Sequence, residues 1–228
     1  MSGRFSCIKC GNCCKSDLVE VKAKIAPSEE KGPLYKNHGA IGLPVLDFQK
    51  AELEEEAKKL GIKASFVPEK YFFDALTKTM VVATWKLEGT PCPFLSEEKM
   101  CRVYSKRPFV CRRFPLLVQG NKIVCSSNCE AVSQDDLKDI RSKEDFESFF
   151  PKQVLALKEG KEAIRQINNV LGRLPSTGKV FLVKGLTQKE LPKKFPKHET
   201  IGLFKFLKRN GIGSQNLAIE IKKALKNA

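Results

Sequence analysis

The sequence predicts an α+β protein in two parts. Residues 1–132 form a small metal-stapled cysteine-cluster domain with few strands, and residues 133–228 form a basic, mainly helical unit. All nine cysteines lie between Cys7 and Cys129. The first part mixes short β-branched runs with one helical pattern, whereas the second carries mainly helical patterns. The net charge is +12 for residues 151–228 but only +3 for residues 1–150.

Three elements and one loop are predicted in the first part. Residues 47–60 have the composition of a helix that ends at Gly61. Residues 79–87, TMVVATWKL, are β-branched and aromatic, which is typical of a strand. A hairpin is predicted over residues 116–124, with Gly120-Asn121 at its turn. The proline- and glycine-rich residues 26–44 are predicted to form a loop.

The second part is predicted to begin at residue 133, in a polar stretch where Ser133 and Ser142 each start a run with helix N-cap chemistry. A helix is expected from Pro151 to Gly172, with an apolar stripe at Leu157, Ile164, Ile167 and Leu171. The further expected elements are a strand at 179–184, a capping box at 187–190 stopped by Pro192, and helices at 199–209 and 214–226.

Composition restricts the class of protein. Hydrophobic residues make up 42% and charged residues 29% of the 228 residues, which excludes a wholly disordered chain. No apolar run approaches the roughly 18 residues of a membrane span. The first residues, Met1 to Cys14, have no apolar segment of the signal-peptide type. We therefore expect a cytoplasmic protein without a membrane-spanning segment, in which clustered cysteines are metal ligands or redox groups rather than a disulfide framework.

Four cysteines fall within eight residues at the start of the chain, in the run Cys7-Ile-Lys-Cys10-Gly-Asn-Cys13-Cys14. Two-residue spacers let the backbone curl around one metal centre. The first three cysteines match the start of a ferredoxin run, while Cys-x2-Cys alone also suits a zinc site. Gly11 and Asn12 tolerate the left-handed backbone of a tight loop. Because Cys13 and Cys14 are adjacent, we expect one of them to serve a second centre or to remain unligated.

The other five cysteines lie between residues 92 and 129. The run PCPFL contains Cys92, the run CRVYSKRPFVCRRFP contains Cys101 and Cys111, and Cys125 and Cys129 follow. Pro108 suits the first turn of a short helix that carries Cys111.

Two arginines in the same stretch, Arg107 and Arg112, are expected to lie beside the bound group. Guanidinium groups there can offset cluster charge and donate hydrogen bonds to sulfur. The alternative is a solvated basic face. Tyr104 is either a core residue or a proton donor near the metal.

Together these runs, CxxCxxCC followed by CPFL and by CxVYxxRPxxCRxFP, resemble the YkgJ-type cysteine cluster family over about residues 4–130. The resemblance implies zinc or iron chelation, and the family includes relatives of flagellin lysine N-methylase. Cys125 and Cys129 lie where relatives often have a further cysteine, so either or both are candidate ligands. The residues that match the motif itself are Cys7, Cys10, Cys13, Cys14, Cys92, Cys101 and Cys111.

Two metal groups remain open at this point. Three cysteines in seven residues with a remote fourth favour an iron–sulfur cluster, which we expect to be 4Fe-4S. Pairs such as Cys7/Cys10 with Cys125/Cys129 would instead make a closed tetrahedral zinc site. The favoured function is metal-cluster binding with redox chemistry or protein lysine modification. The alternative is a zinc-stapled module that binds nucleic acid or protein through a basic tail. No conventional methyltransferase motif is present, so the sequence does not decide whether the chain is an enzyme.

The basic tail leads to a first prediction. Changing six basic residues to Gln should abolish whatever weak nucleic-acid binding the chain has: Lys193, Lys194, Lys197, Lys205, Lys208 and Arg209. Filter-binding titrations with RNA and DNA should show weak binding at low salt that disappears near physiological salt, because each phosphate neutralised releases counterions. Binding that survives physiological salt and is lost in the six-residue variant would contradict a tail that serves only solubility.

Overall fold

The computed structural model describes residues 4–15, 21–27, 43–119, 122–126, 128–175, 182–183 and 190–211. Within them the chain is α+β, as predicted. The helices are α1 (Asp47–Lys59), α2 (Phe109–Arg112), α3 (Gln134–Lys138), α4 (Lys143–Phe149), α5 (Pro151–Arg173), α6 (Leu191–Lys194) and α7 (Leu203–Arg209). The strands are β1 (Val21–Pro27), β2 (Leu43–Leu46), β3 (Ser65–Asp74), β4 (Thr79–Glu88), β5 (Leu116–Gln119), β6 (Lys122–Ser126), β7 (Leu182–Val183) and β8 (Glu199–Gly202).

The chain forms two compact units, and neither is a continuous segment. The first, here called the cysteine unit, comprises residues 1–43, 55–65 and 88–158 and contains all nine cysteines. The second, here called the sheet unit, comprises residues 44–54, 66–87 and 159–228. A single division after residue 132 does not coincide with these units, and it stays a prediction about the organisation of the sequence. None of the described helices is long and apolar enough to cross a bilayer.

The cysteine unit contains an antiparallel sheet in the order β1-β6-β5. The predicted hairpin is confirmed: Leu116 pairs with Cys125 and Gln119 with Lys122. Next to the hairpin lies an apolar cluster that includes Leu116, Val132, Phe146 and Phe150. Burial of each such side chain contributes about 1.5–3 kcal/mol to the free energy of unfolding. This cluster therefore stabilises the hairpin and the residues that follow it.

Both predicted helix starts in this unit are confirmed. Ser133 and Ser142 are N-caps of α3 and α4, and each forms a capping box with the acidic residue three positions later. The Asp136 and Asp145 backbone N–H groups donate to the serine hydroxyls at 3.0 Å. Such caps typically contribute about 1 kcal/mol each, so these short helices are fixed locally.

In the sheet unit, strands pair in the order β2-β4-β3-β7, and β8 pairs with β4 in parallel. Strand β4 is buried along almost its whole length, from Thr79 to Leu87. That burial explains why its sequence is a near-continuous apolar run.

A buried carboxylate joins three elements of the sheet unit. Asp47, the first residue of α1, accepts a hydrogen bond from the Trp85 indole N–H at 2.8 Å and one from the Phe204 backbone N–H at 3.0 Å. Burial raises the pKa of Asp47, while these two hydrogen bonds act against the rise. Gly202 leaves room for the carboxylate: a Cβ there would lie 2.0 Å from Asp47 Oδ1.

Several sequence predictions were wrong in detail. Residues 199–202 form β8 rather than the start of a helix, because they pair with Thr79 to Val82 of β4. Pro192 lies inside α6 and does not stop a helix. Both ends of the predicted loop at 26–44 belong to strands β1 and β2. Ile164 is 47% exposed, whereas Ala163 and Ile167 are buried.

The remaining predictions are met or fall outside the described residues. Helices α1 and α5 end within one residue of the expected positions. Of the predicted strand at 179–184 only Leu182 and Val183 are described, as β7. The capping box at 187–190, apart from Glu190, and the helix at 214–226 lie outside the described ranges.

The contact between Gly202 and Asp47 gives a second prediction. Gly202→Ala should lower the free energy of unfolding by about 1–3 kcal/mol, because the added methyl group displaces a carboxylate that two donors hold. Gly172→Ala is the matched control: nothing lies within 4 Å of its added Cβ, and alanine is the better helix former. Urea unfolding should separate the two variants. Equal stability of Gly202→Ala and wild type would contradict the role given to Asp47.

Candidate metal centre

The N-terminal cysteine run is a loop that ends in a single 3-10 turn, Asn12–Cys14. Gly11 caps the turn in the left-handed region, with φ of 74°, as its sequence predicts. The Cys14 N–H donates to the Gly11 carbonyl at 2.9 Å. A Cβ on Gly11 would lie 2.4 Å from the Lys99 carbonyl oxygen. Glycine is therefore needed here both for its conformation and for the close approach of another backbone.

The second cysteine segment is held by its own backbone bonds and by buried apolar anchors. The Leu95 N–H donates to the Cys92 carbonyl at 2.9 Å. Leu95 and Cys101 form an isolated antiparallel bridge, which brings Cys101 back beside the Cys92 turn. Phe94 is buried between these positions. The predicted helical turn after Pro108 is confirmed as α2, which carries Cys111.

The two cysteine segments meet directly. The Cys92 backbone N–H donates to the Cys14 carbonyl at 2.8 Å. A side chain of the same loop contacts the end of the second segment: the Asn12 amide donates to the Glu130 carboxylate. Sulfurs from residues 78 positions apart in sequence are therefore brought to one surface.

Three of the thiols form a hydrogen-bonded group. The sulfurs of Cys13 and Cys14 lie 3.8 Å apart, within hydrogen-bonding distance of each other. The expectation that one of the two serves a second centre or remains unligated stays a prediction. The Cys14 thiol also hydrogen-bonds to Cys92. The hydrogen bond with Cys14 lowers the pKa of Cys13 to about 7, and a second one lowers the pKa of Cys92. The same two hydrogen bonds strongly raise the pKa of Cys14 itself. These hydrogen bonds therefore favour the thiolate forms of Cys13 and Cys92 over that of Cys14.

Two further thiols, Cys101 and Cys111, and the cation Arg107 interact electrostatically with members of this group of thiols. Burial raises the pKa of Cys111 and that of Cys101, and repulsion from Cys92 and Cys13 raises both further. The Arg107 guanidinium attracts the thiolate forms of both, and that of Cys13 as well. Arg107 therefore acts electrostatically on three of the thiols, and its role beside a bound group stays a prediction. Introducing a metal cation would deprotonate Cys101 and Cys111, so binding should release protons.

Tyr104 connects Arg107 to Cys7. The Arg107 Nε donates to the Tyr104 carbonyl at 3.1 Å, and its guanidinium carbon lies 3.7 Å from the centre of the Tyr104 ring. Burial raises the pKa of Tyr104, and a hydrogen bond from its hydroxyl to Cys7 raises it further. Tyr104 is therefore a hydrogen-bond donor to one of the motif cysteines, a role that composition and periodicity do not reveal.

The other predicted site residues differ in their surroundings. Cys10 is half-buried in the N-terminal loop. Arg112 lies over the Phe109 ring, 4.9 Å from its centre. Cys125 and Cys129 are 0% and 6% exposed and belong to the apolar cluster around Phe146.

The donor set fits a thiophilic metal group. All nine cysteines lie in described residues and none forms a disulfide. Soft thiolates are the ligands that zinc and iron–sulfur clusters prefer. In the described ranges, no three Cys, His, Asp or Glu side chains converge closely enough to hold a single ion. Of the two histidines, His198 hydrogen-bonds to the Phe195 carbonyl, and His38 lies outside the described residues.

A third prediction follows from the difference between the thiols that interact with one another, such as Cys111, and those that lie in the apolar cluster, Cys125 and Cys129. Cys111→Ala should lose most of the bound metal, because Cys111 lies among the other thiols. Cys125→Ala should keep the metal but unfold about 1–2 kcal/mol more easily, because it leaves a cavity in the apolar cluster. Metal analysis and thermal unfolding of both variants provide the check. Full metal content in Cys111→Ala, or loss of metal in a folded Cys125→Ala, would contradict this division.

Comparison with known proteins agrees with the donor set. Residues 6–136 match the family model CxxCxxCC, described as "Putative zinc- or iron-chelating domain". No curated protein and no solved structure matches the chain significantly. The matched segment covers more than half of the 228 residues and includes every cysteine. The chain therefore belongs to the CxxCxxCC family of zinc- or iron-chelating proteins.

Proposed function

We propose that the chain binds an iron–sulfur cluster through the thiols of its two cysteine segments. The observation that carries the proposal is the hydrogen bond from the Cys92 backbone N–H to the Cys14 carbonyl. This hydrogen bond joins a ferredoxin-like run to the remote cysteines. The candidate ligands are Cys7, Cys10, Cys13, Cys14, Cys92, Cys101 and Cys111. Cys125 and Cys129, although candidates by sequence, are proposed to serve packing instead, since apolar side chains surround them.

A bound cluster would supply one-electron transfer, and the surrounding side chains would tune it. Arg107 offsets thiolate charge at Cys13, Cys101 and Cys111. The Tyr104 hydroxyl, by donating to Cys7, withdraws electron density from that sulfur. Both effects favour the reduced, more negative state of a thiolate-bound group. Cys13 is exposed, so the site is open enough to exchange electrons with a partner or to act in modification of a protein lysine.

Zinc is the second candidate, and one distance favours it. In a tetrahedral site with metal–sulfur bonds of about 2.3 Å, neighbouring sulfurs lie about 3.8 Å apart. The Cys13 and Cys14 sulfurs have that separation. A zinc-bound protein would be a stapled module that contacts protein or nucleic acid through its basic C-terminal part. There, Arg209 is already engaged by Glu199 at 2.9 Å, which leaves fewer cations for phosphate.

Metal and sulfide analysis decides between the two groups and is the fourth prediction. Protein purified without oxygen should contain iron and acid-labile sulfide in equal amounts and should show broad visible absorption that bleaches on reduction. Cys125→Ala is the matched control and should show the same spectrum. Zinc without sulfide would contradict the iron–sulfur proposal and support the second candidate. Folded, metal-free protein would contradict both.

A further inference from the structure

A cavity of about 320 Å³ lies next to Cys101 in the cysteine unit. Its volume is at the lower end of the range that binds small molecules. Neither the metal proposal nor the resemblance assigns it a role. The lining residues are Lys9, Ser96, Glu98, Met100, Cys101, Arg102 and Tyr104.

The walls of the cavity combine apolar surface with cations. The Met100 side chain is 51% exposed, and the Tyr104 ring forms another wall. The Lys9 ammonium lies 5.1 Å from the centre of that ring. Arg102 supplies a second cation, and Glu98, the one acidic lining residue of this cavity, hydrogen-bonds to Ser96. The lining therefore has two positive groups and one negative group, the Glu98 carboxylate, which accepts from Ser96 and also attracts Arg102.

The two segments that line the cavity also carry a net positive charge. The two cysteine segments, residues 4–15 and 89–113, contain nine Lys or Arg against two Glu, a net charge of +7. A zinc ion or a four-iron cluster of core charge 2+ bound by four thiolates carries about −2, so a charge of about +5 would remain. The basic character of the chain is thus not confined to its C-terminal part. Charge of one sign around a concave, partly apolar surface attracts small ions of the opposite sign.

We propose that this cavity binds a small organic anion, with its acidic group between Lys9 and Arg102 and its apolar body against Met100 and the Tyr104 ring. The concave shape and metabolite-sized volume favour a small molecule over the surface of an acidic protein. The bound molecule would lie beside Cys101, and hence next to whichever metal group the thiols hold. The site is a binding site in its own right and does not depend on the identity of the metal.

The test is the fifth prediction and uses two matched probes, trifluoromethylbenzoate and its uncharged amide. Titrations of the full-length protein followed by fluorine NMR should show that the carboxylate binds about tenfold more tightly than the amide. Lys9→Gln and Arg102→Gln should each weaken carboxylate binding about three- to tenfold, because each removes a charge-assisted partner. Neither should change binding of the amide.

Two further variants guard against indirect effects. Lys143→Gln, which removes an equal charge from an exposed position on α4, should leave both affinities unchanged. Glu98→Gln removes the negative lining group and should tighten carboxylate binding, a gain that misfolding does not produce. Equal affinity for the two probes, or an equal loss in Lys143→Gln and Lys9→Gln, would overturn the proposal.

Metal content measured on the same samples separates this proposal from the proposed function. Preferential carboxylate binding by protein without iron or zinc would support the cavity while contradicting the metal proposal. Fully metal-loaded protein that shows no preference for the carboxylate would overturn the cavity alone.

Discussion

The hydrogen bond from the Cys92 N–H to the Cys14 carbonyl is the contact on which the site depends. It joins two short, irregular segments that have little regular secondary structure of their own. Gly11 makes the junction possible, since the Lys99 carbonyl occupies the space that any Cβ would need. Closing so long a stretch of chain costs entropy, and metal–thiolate bonds can offset that cost. Assembly of the site and folding of the cysteine unit are thus expected to be one process.

Charge explains why the thiols can lie so close together. In the absence of a cation, neighbouring thiolates repel one another, and burial together with that repulsion raises the pKa of Cys101 and of Cys111. The Cys14 proton, shared with Cys13 and Cys92, and the Arg107 guanidinium partly relieve this repulsion. A bound metal group would complete the compensation. The net positive charge of the two cysteine segments likewise supports the anion site proposed beside Cys101.

Local chemistry could be predicted from the sequence, whereas long-range pairing could not. The serine caps of α3 and α4, the Gly11 turn and the helix after Pro108 follow from neighbouring residues alone. Residues 199–202 were assigned to a helix because nothing nearby indicates their partner, which is β4 more than a hundred residues earlier. The site shows the same limit. The cysteine motif identified the thiols, yet the apolar surroundings of Cys125 and Cys129, and the contact of Tyr104 with Cys7, depend on tertiary packing.

The central claim is that thiolates from both segments hold one metal group. X-ray absorption at the metal edge of the purified, metal-loaded protein measures that most directly. The account predicts a first shell of sulfur alone at about 2.3 Å, together with an iron–iron distance if the group is a cluster. The shell should be lost or altered in Cys14→Ala and in Cys92→Ala alike. A first shell of nitrogen and oxygen, or a sulfur shell that survives both substitutions, would contradict the account.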